Sequence, residues 1–115
     1  MGRVTREIAW VKQARKEFEA FPPRAQRIML YALTVAAEGG KADIAKPMKG
    51  LGSGVFEIAL AHRGETYRAV YALQIREAIW VVHAFQKKSK QGIKTPRQEI
   101  GLMRDRLKRL KEQLK

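Results

Sequence analysis

The chain has 115 residues and 45% hydrophobic content, enough for one domain with its own apolar core and too few for two comfortable ones. It contains no cysteine, which excludes disulfides and thiolate metal sites, and no apolar run approaches the roughly 20 residues of a membrane span. A formal net charge of +13 favours an anionic partner, whether nucleic acid, an anionic membrane surface or an acidic protein.

Arg6 to Val11 reads as a short first strand. Lys12 to Phe21 reads as a helix with Ala14, Phe18 and Phe21 on one stripe. Pro22-Pro23 stops it, because proline donates no backbone hydrogen bond and restricts the residue before it. Pro23 then suits the first turn of a second helix through Arg24 to Glu38, with Ala25, Ile28, Met29, Ala32, Val35 and Ala36 at helical spacing. Gly39-Gly40 closes that helix. The two-proline joint predicts an antiparallel helical hairpin.

Lys41 to Gly54 reads as a loop. Its Gly50, Gly52 and Gly54 resemble a phosphate loop only superficially: they precede a strand rather than follow one, and no helix start comes after them, so nucleotide binding is rejected. The glycines are expected to permit a bend into the sheet. Phe56, Ile58 and Leu60 then alternate with Glu57, Ala59 and Ala61. Tyr67, Ala69, Tyr71 and Leu73 alternate with Arg68, Val70 and Ala72. Turns fall at Arg63-Gly64-Glu65 and Arg76-Glu77. Ile79 to Phe85 is apolar on both faces and so reads as a central strand. The short connections predict an antiparallel meander.

Thr95-Pro96-Arg97-Gln98 is a helix start, with Thr95 as the cap, Pro96 in the first turn and Gln98 completing a capping box. The helix carries Ile100, Met103, Leu107, Leu110 and Leu114 on one stripe and mostly Arg and Lys opposite. From Gln86 to Lys115 there are eleven Lys or Arg against three acids, so +8 of the +13 sits in the last 30 residues. A solvated basic helix would account for the run by itself. Because the run leaves a sheet that also carries Arg68, a surface for a polyanion is the stronger reading.

The inventory for chemistry is narrow. There are two histidines, His62 and His83, and no acid pair at a metal-ligand spacing, so metal hydrolysis and protease chemistry are poor fits. RNA cleavage needs no metal: the 2′-hydroxyl attacks the neighbouring phosphate and the 5′-oxygen leaves. It needs a base, an acid and cations for the charge that develops on the phosphate. Arg68, in mid-strand, suits the last role, since its fork pairs two phosphate oxygens. By strand alternation His83 shares a face with Val81 and Phe85; a histidine so placed is more often structural than catalytic. Glu57 reads as an exposed charge or as a partner for Arg68. Lys87, Lys88, Lys90 and Lys94 form a cluster suited to solvation or to phosphate contacts.

The segments KPMKGLGSGVFEIAL, YRAVYAL, VVHAFQKKSK and KTPRQEI, in that order between Lys46 and Ile100, resemble the RelE/ParE toxin superfamily, and most of all its HigB-like, phage-derived branch. The resemblance implies an α+β fold over residues 1–115, with an N-terminal helical hairpin packed on a curved antiparallel sheet of three to four strands and a basic C-terminal helix. It implies the toxin of a type II toxin–antitoxin pair, cleaving mRNA on the ribosome without a metal or cofactor. It also implies a cognate helix-turn-helix antitoxin. The lack of cysteine, of an apolar span and of a secretory signal at the N-terminus leads to the expectation of no membrane association and a cytoplasmic location. Arg68, His83, Lys87 and Lys88 are the implied catalytic residues. Lys46, Lys49, Lys90, Lys94 and Arg97 are the candidate nucleic-acid contacts. Ala59 departs from the branch, which commonly carries arginine there, and Ala61 adds no charge. A ParE-like inhibitor of DNA gyrase and a plain basic nucleic-acid-binding module remain open alternatives.

Overall fold

A computed structural model describes residues 5–88 and 95–114, the side chains of Gln74 and Lys88 excepted. In chain order the elements are β1 (Glu7–Trp10), α1 (Lys12–Glu19), α2 (Pro23–Ala37), β2 (Ala45–Pro47), β3 (Val55–His62), β4 (Glu65–Ile75), β5 (Ala78–Lys88) and α3 (Arg97–Gln113). The strands form one sheet in the order β1-β5-β4-β3-β2.

The expected meander is present as β3, β4 and β5, and β5 is interior as its two apolar faces require. The sheet is larger than the three to four strands expected, and it is mixed. β1 pairs with β5 in parallel, Glu7 beside Ala78 through Trp10 beside Val81. β2, within the segment expected to be a loop, pairs antiparallel with β3. Three residues that include a proline give too little alternation to be read as a strand. Gly50, Gly52 and Gly54 all have positive φ, so the glycines do make the bend that brings the chain into β3.

The helical hairpin also differs in detail. Pro23 occupies the first turn of α2, and Gly39 follows its end with φ +95°, its N–H and that of Gly40 returning to Ala36 and Val35 carbonyls. Yet α1 packs chiefly on β5 and α2 on β3, β1 and β5, so each helix seats on the sheet more than on its neighbour. Their apolar stripes, Phe18, Phe21, Met29 and Leu33, meet Ile58, Tyr67, Tyr71, Ile79 and Val81 in one core.

The other face of the sheet carries a second core. Here α3 lays Met103, Leu107 and Leu110 over Val55, Val70, Ala72, Ile75 and Val82. The sheet is thus a middle layer, with helices on both sides. Arg76, in the β4–β5 turn, donates to the carbonyl of Leu114 at the end of α3, and Arg104 donates to the carbonyl of Gly50 at 3.4 Å. No helix among the described residues is long and apolar enough to cross a membrane.

Candidate functional site

Antiparallel pairing arranges side chains in rows across the sheet. On the α3 face one row runs Ala59–Arg68–Phe85. On one side of it lies Ala61–Thr66–Lys87; on the other lies Lys46–Glu57–Val70–His83. Three of the four expected catalytic residues, Arg68, His83 and Lys87, therefore fall in consecutive rows. Lys88 stands at the end of β5 opposite Glu65.

Arg68 is not displayed to solvent: the residue is 9% exposed. Its Nη1 donates to Oε1 of Glu57 at 2.6 Å, which makes Glu57 a partner of Arg68, one of the two roles the sequence allowed. The second Glu57 oxygen accepts from the hydroxyl of Thr95 at 3.0 Å. The expected capping box is therefore absent. Pro96 occupies the N-cap without a side-chain bond, and Thr95 instead reaches across to β3. The second oxygen of the Glu57 carboxylate, charged and close by, is a stronger acceptor for that hydroxyl than the helix offers.

Lys87 is 5% exposed, so its stem is buried rather than solvated as a simple basic cluster would be. Lys46 and Lys49 are exposed on β2 and in the loop after it, and Arg97 is exposed at the start of α3. Lys90 and Lys94 lie outside the described residues.

His83 shares the α3 face with Phe85, their ring centroids 5.4 Å apart, as strand alternation predicts, but it does not share a face with Val81. β5 carries one extra residue against β4: Val70 pairs with His83, but Tyr71 pairs with Val81. This bulge puts Val81 in the core beneath α1 and α2, while Val82 and Phe85 belong to the α3 side. His83, 1% exposed, sits among charged groups. Its Nε2 lies 2.6 Å from Oε1 of Glu99, and its Nδ1 lies 2.8 Å from Nη1 of Arg106. Arginine only donates, so Nδ1 accepts and the imidazole carries its proton on Nε2, toward Glu99. Arg106 also donates to both oxygens of Glu17 at 2.8 and 2.9 Å, and to the carbonyl of Val82 at 3.2 Å. Burial pushes the Glu17 carboxyl up; the Arg106 hydrogen bond, the Ala84 N–H and the charge of Arg106 outweigh it and hold the group below its ordinary value. Both imidazole nitrogens are thus engaged, and the cluster ties α1, β5 and α3 together.

The sequence reading missed Glu17, Glu99 and Arg106. The signals were a glutamate next to Phe18 on the apolar stripe of α1, and an arginine beside Leu107 on the stripe of α3. Neither has meaning until the two stripes are known to cover opposite faces of one bulged strand. No group of three or more His, Asp or Glu able to hold a metal is present among the described residues.

Residues 16–108 match the family model described as phage-derived protein Gp49-like (DUF891), so the chain belongs to that family. Its fold is that of RelE. A free-state double arginine-to-alanine mutant of the E. coli toxin RelE superposes with a TM-score of 0.62 at 15% identity, over 91% of this chain and 97% of that one. The RelBE2 toxin–antitoxin complex of Mycobacterium tuberculosis aligns at a TM-score of 0.49 and 20% identity, over 73% of this chain and 93% of that one. No curated protein sequence matches the chain.

Proposed function

We propose that this protein is the toxin of a type II toxin–antitoxin pair, acting in the cytoplasm as a metal-independent, ribosome-dependent mRNA endonuclease. The observation that carries the reading is Arg68 in mid-sheet on a RelE fold, with Lys87 in the adjacent row. In the reaction the ribose 2′-oxygen attacks the neighbouring phosphorus. The bond to the 5′-oxygen breaks; water takes the proton of the 2′-hydroxyl and water protonates the departing 5′-oxygen, leaving a 2′,3′-cyclic phosphate and a 5′-hydroxyl. Arg68 pairs with the phosphate oxygens, and Lys87 and Lys88 add positive charge as the phosphorane forms. His83, with its two nitrogens engaged by Glu99 and Arg106, holds α3 in place on β5. Lys46, Lys49, Lys90, Lys94 and Arg97 steer and hold the RNA backbone. The partner is a helix-turn-helix antitoxin.

The test is translation on purified ribosomes with a defined mRNA. The reading expects cleavage that requires ribosomes, persists in a metal chelator and is lost in Arg68→Ala. Growth arrest with intact mRNA would sink it. The gyrase-directed alternative is favoured by one observation, that Arg68 is held by Glu57 and neighboured by the uncharged Ala59. Inhibition of supercoiling by purified gyrase would establish that alternative.

A further inference from the structure

We infer that the Glu57 carboxylate is a built-in competitor for the phosphate of RNA, and that its grip on Arg68 sets the affinity of the site. The inference rests on the reading of Arg68 as the phosphate-binding residue and adds to it how the site is regulated.

Three features carry it. The Glu57–Arg68 contact is short, 2.6 Å, and both side chains are largely out of water, Glu57 at 14% and Arg68 at 11% exposure. A charge-assisted bond in such a place is strong, and it presents to the guanidinium the same acceptor chemistry as a phosphate oxygen. Second, Glu57 does not depend on Arg68 alone for its position. Thr95 donates to its other oxygen from the segment that leads into α3, so the carboxylate is held from both sides. Third, the row that contains Arg68 offers no further charge: Ala59 and Phe85 are its neighbours across the sheet. With no second cation in that row to share an incoming phosphate, RNA has to take Arg68 from Glu57 rather than add beside it.

Removing the charge while keeping the shape therefore raises affinity. The probe is a short fluorescein-labelled single-stranded RNA bearing 2′-O-methyl groups, which cannot be cleaved, titrated with the full chain and followed by anisotropy. Glu57→Gln is expected to bind about tenfold tighter than the native chain, with a salt dependence steeper by about one phosphate contact. In an Arg68→Gln background the same change is expected to have no effect, since the competition it relieves is gone. Thr95→Ala, which leaves Glu57 charged but held from one side only, gains in the same direction by a smaller factor. If Glu57→Gln does not fold, Glu57→Asp replaces it: the shorter carboxylate is drawn back from Arg68 and the gain is expected with the charge intact. Unchanged affinity in the folded variant overturns the inference, as does a gain that survives without Arg68. A general loss of fold stability would not give an Arg68-dependent gain. Failure of the nuclease reading is separate: native chain that cuts no mRNA on ribosomes, while Glu57→Gln still gains RNA affinity through Arg68, removes the activity and leaves the competition standing.

Discussion

Ala59 and Arg68 stand directly opposite one another across β3 and β4, on the face where Lys87 lies one row away. A methyl group therefore stands across the strand pair from Arg68. Ala59→Arg should place a second cation there. The expected outcome is tighter RNA binding, with the slope of log affinity against log salt steeper by about one. Anisotropy titrations across a salt series measure it. An unchanged slope would mean that RNA does not approach this row.

The His83 cluster predicts a stability effect. Arg106→Met keeps the apolar stem over the sheet but strands Glu17 and the acceptor lone pair on His83 Nδ1. Losing one partner from a largely buried polar cluster costs about 2 to 3 kcal/mol, less than for a fully buried pair because Glu17 retains 31% side-chain exposure. Urea denaturation should show a lower midpoint with an unchanged slope. Glu17→Gln combined with Arg106→Met should cost less than the sum of the two single changes, because they share the interaction.

The same cluster sets a pH dependence. Glu17 has its carboxyl held below the ordinary value of 4.5. The folded state thus releases this proton more readily than the unfolded chain, and the resulting stability is present above about 4.5. It is lost as pH falls through the depressed folded value. Thermal unfolding followed between neutral and acid pH should show a decline over that range that is smaller in Glu17→Gln.

At the alkaline end the sign reverses. Burial raises the Tyr71 phenol above its ordinary 10.0, since the phenolate would have to form within the core. The stability this represents is full below 10.0 and is lost as pH rises through the raised value. Near-ultraviolet absorbance titration of native protein should leave one tyrosine un-ionised beyond the others. Tyr71→Phe should remove that late component and keep the stacking on Phe56, whose ring centroid lies 5.5 Å away.

The β3–β4 turn offers a stabilising substitution. Arg63 and Gly64 both have positive φ, +51° and +80°, as a two-residue turn of the right twist requires. An exposed arginine bears a steric cost there that asparagine largely escapes. Arg63→Asn is expected to raise stability by about 0.5 kcal/mol, seen as a higher melting temperature.

The elements that were legible in the sequence are those whose pattern is local. Alternation in β3 and β4, the stripes of α1 and α3, and the proline and glycine stops all read correctly because each depends on neighbours a few residues away; the stripe of α2 read in part, since Leu33 and Ala37 are buried where Ile28 and Val35 are only half-buried. What did not read depends on distant groups. β2 is held by pairing rather than propensity. The separation of His83 from Val81 depends on a bulge that no periodicity announces. Thr95 satisfies every local rule for a cap and is drawn off by Glu57, 38 residues earlier. The candidate site divides in the same way. Arg68 was legible as a mid-strand cation and Glu57 as one of its possible partners, while Glu17, Glu99 and Arg106 become visible only when three elements converge.

The parallel pairing of β1 with β5 joins Glu7 to Ala78 and Trp10 to Val81. During synthesis β1 is therefore made early and stays without its neighbour while some seventy residues follow. Glu17 waits longer still for Arg106, 89 residues on. Contacts of such long range close slowly, since the loop between them must first be ordered. The sheet and its second covering layer are thus completed only once β5 and α3 have emerged, so the strand that bears Arg68 is made well before the surface around it exists in assembled form.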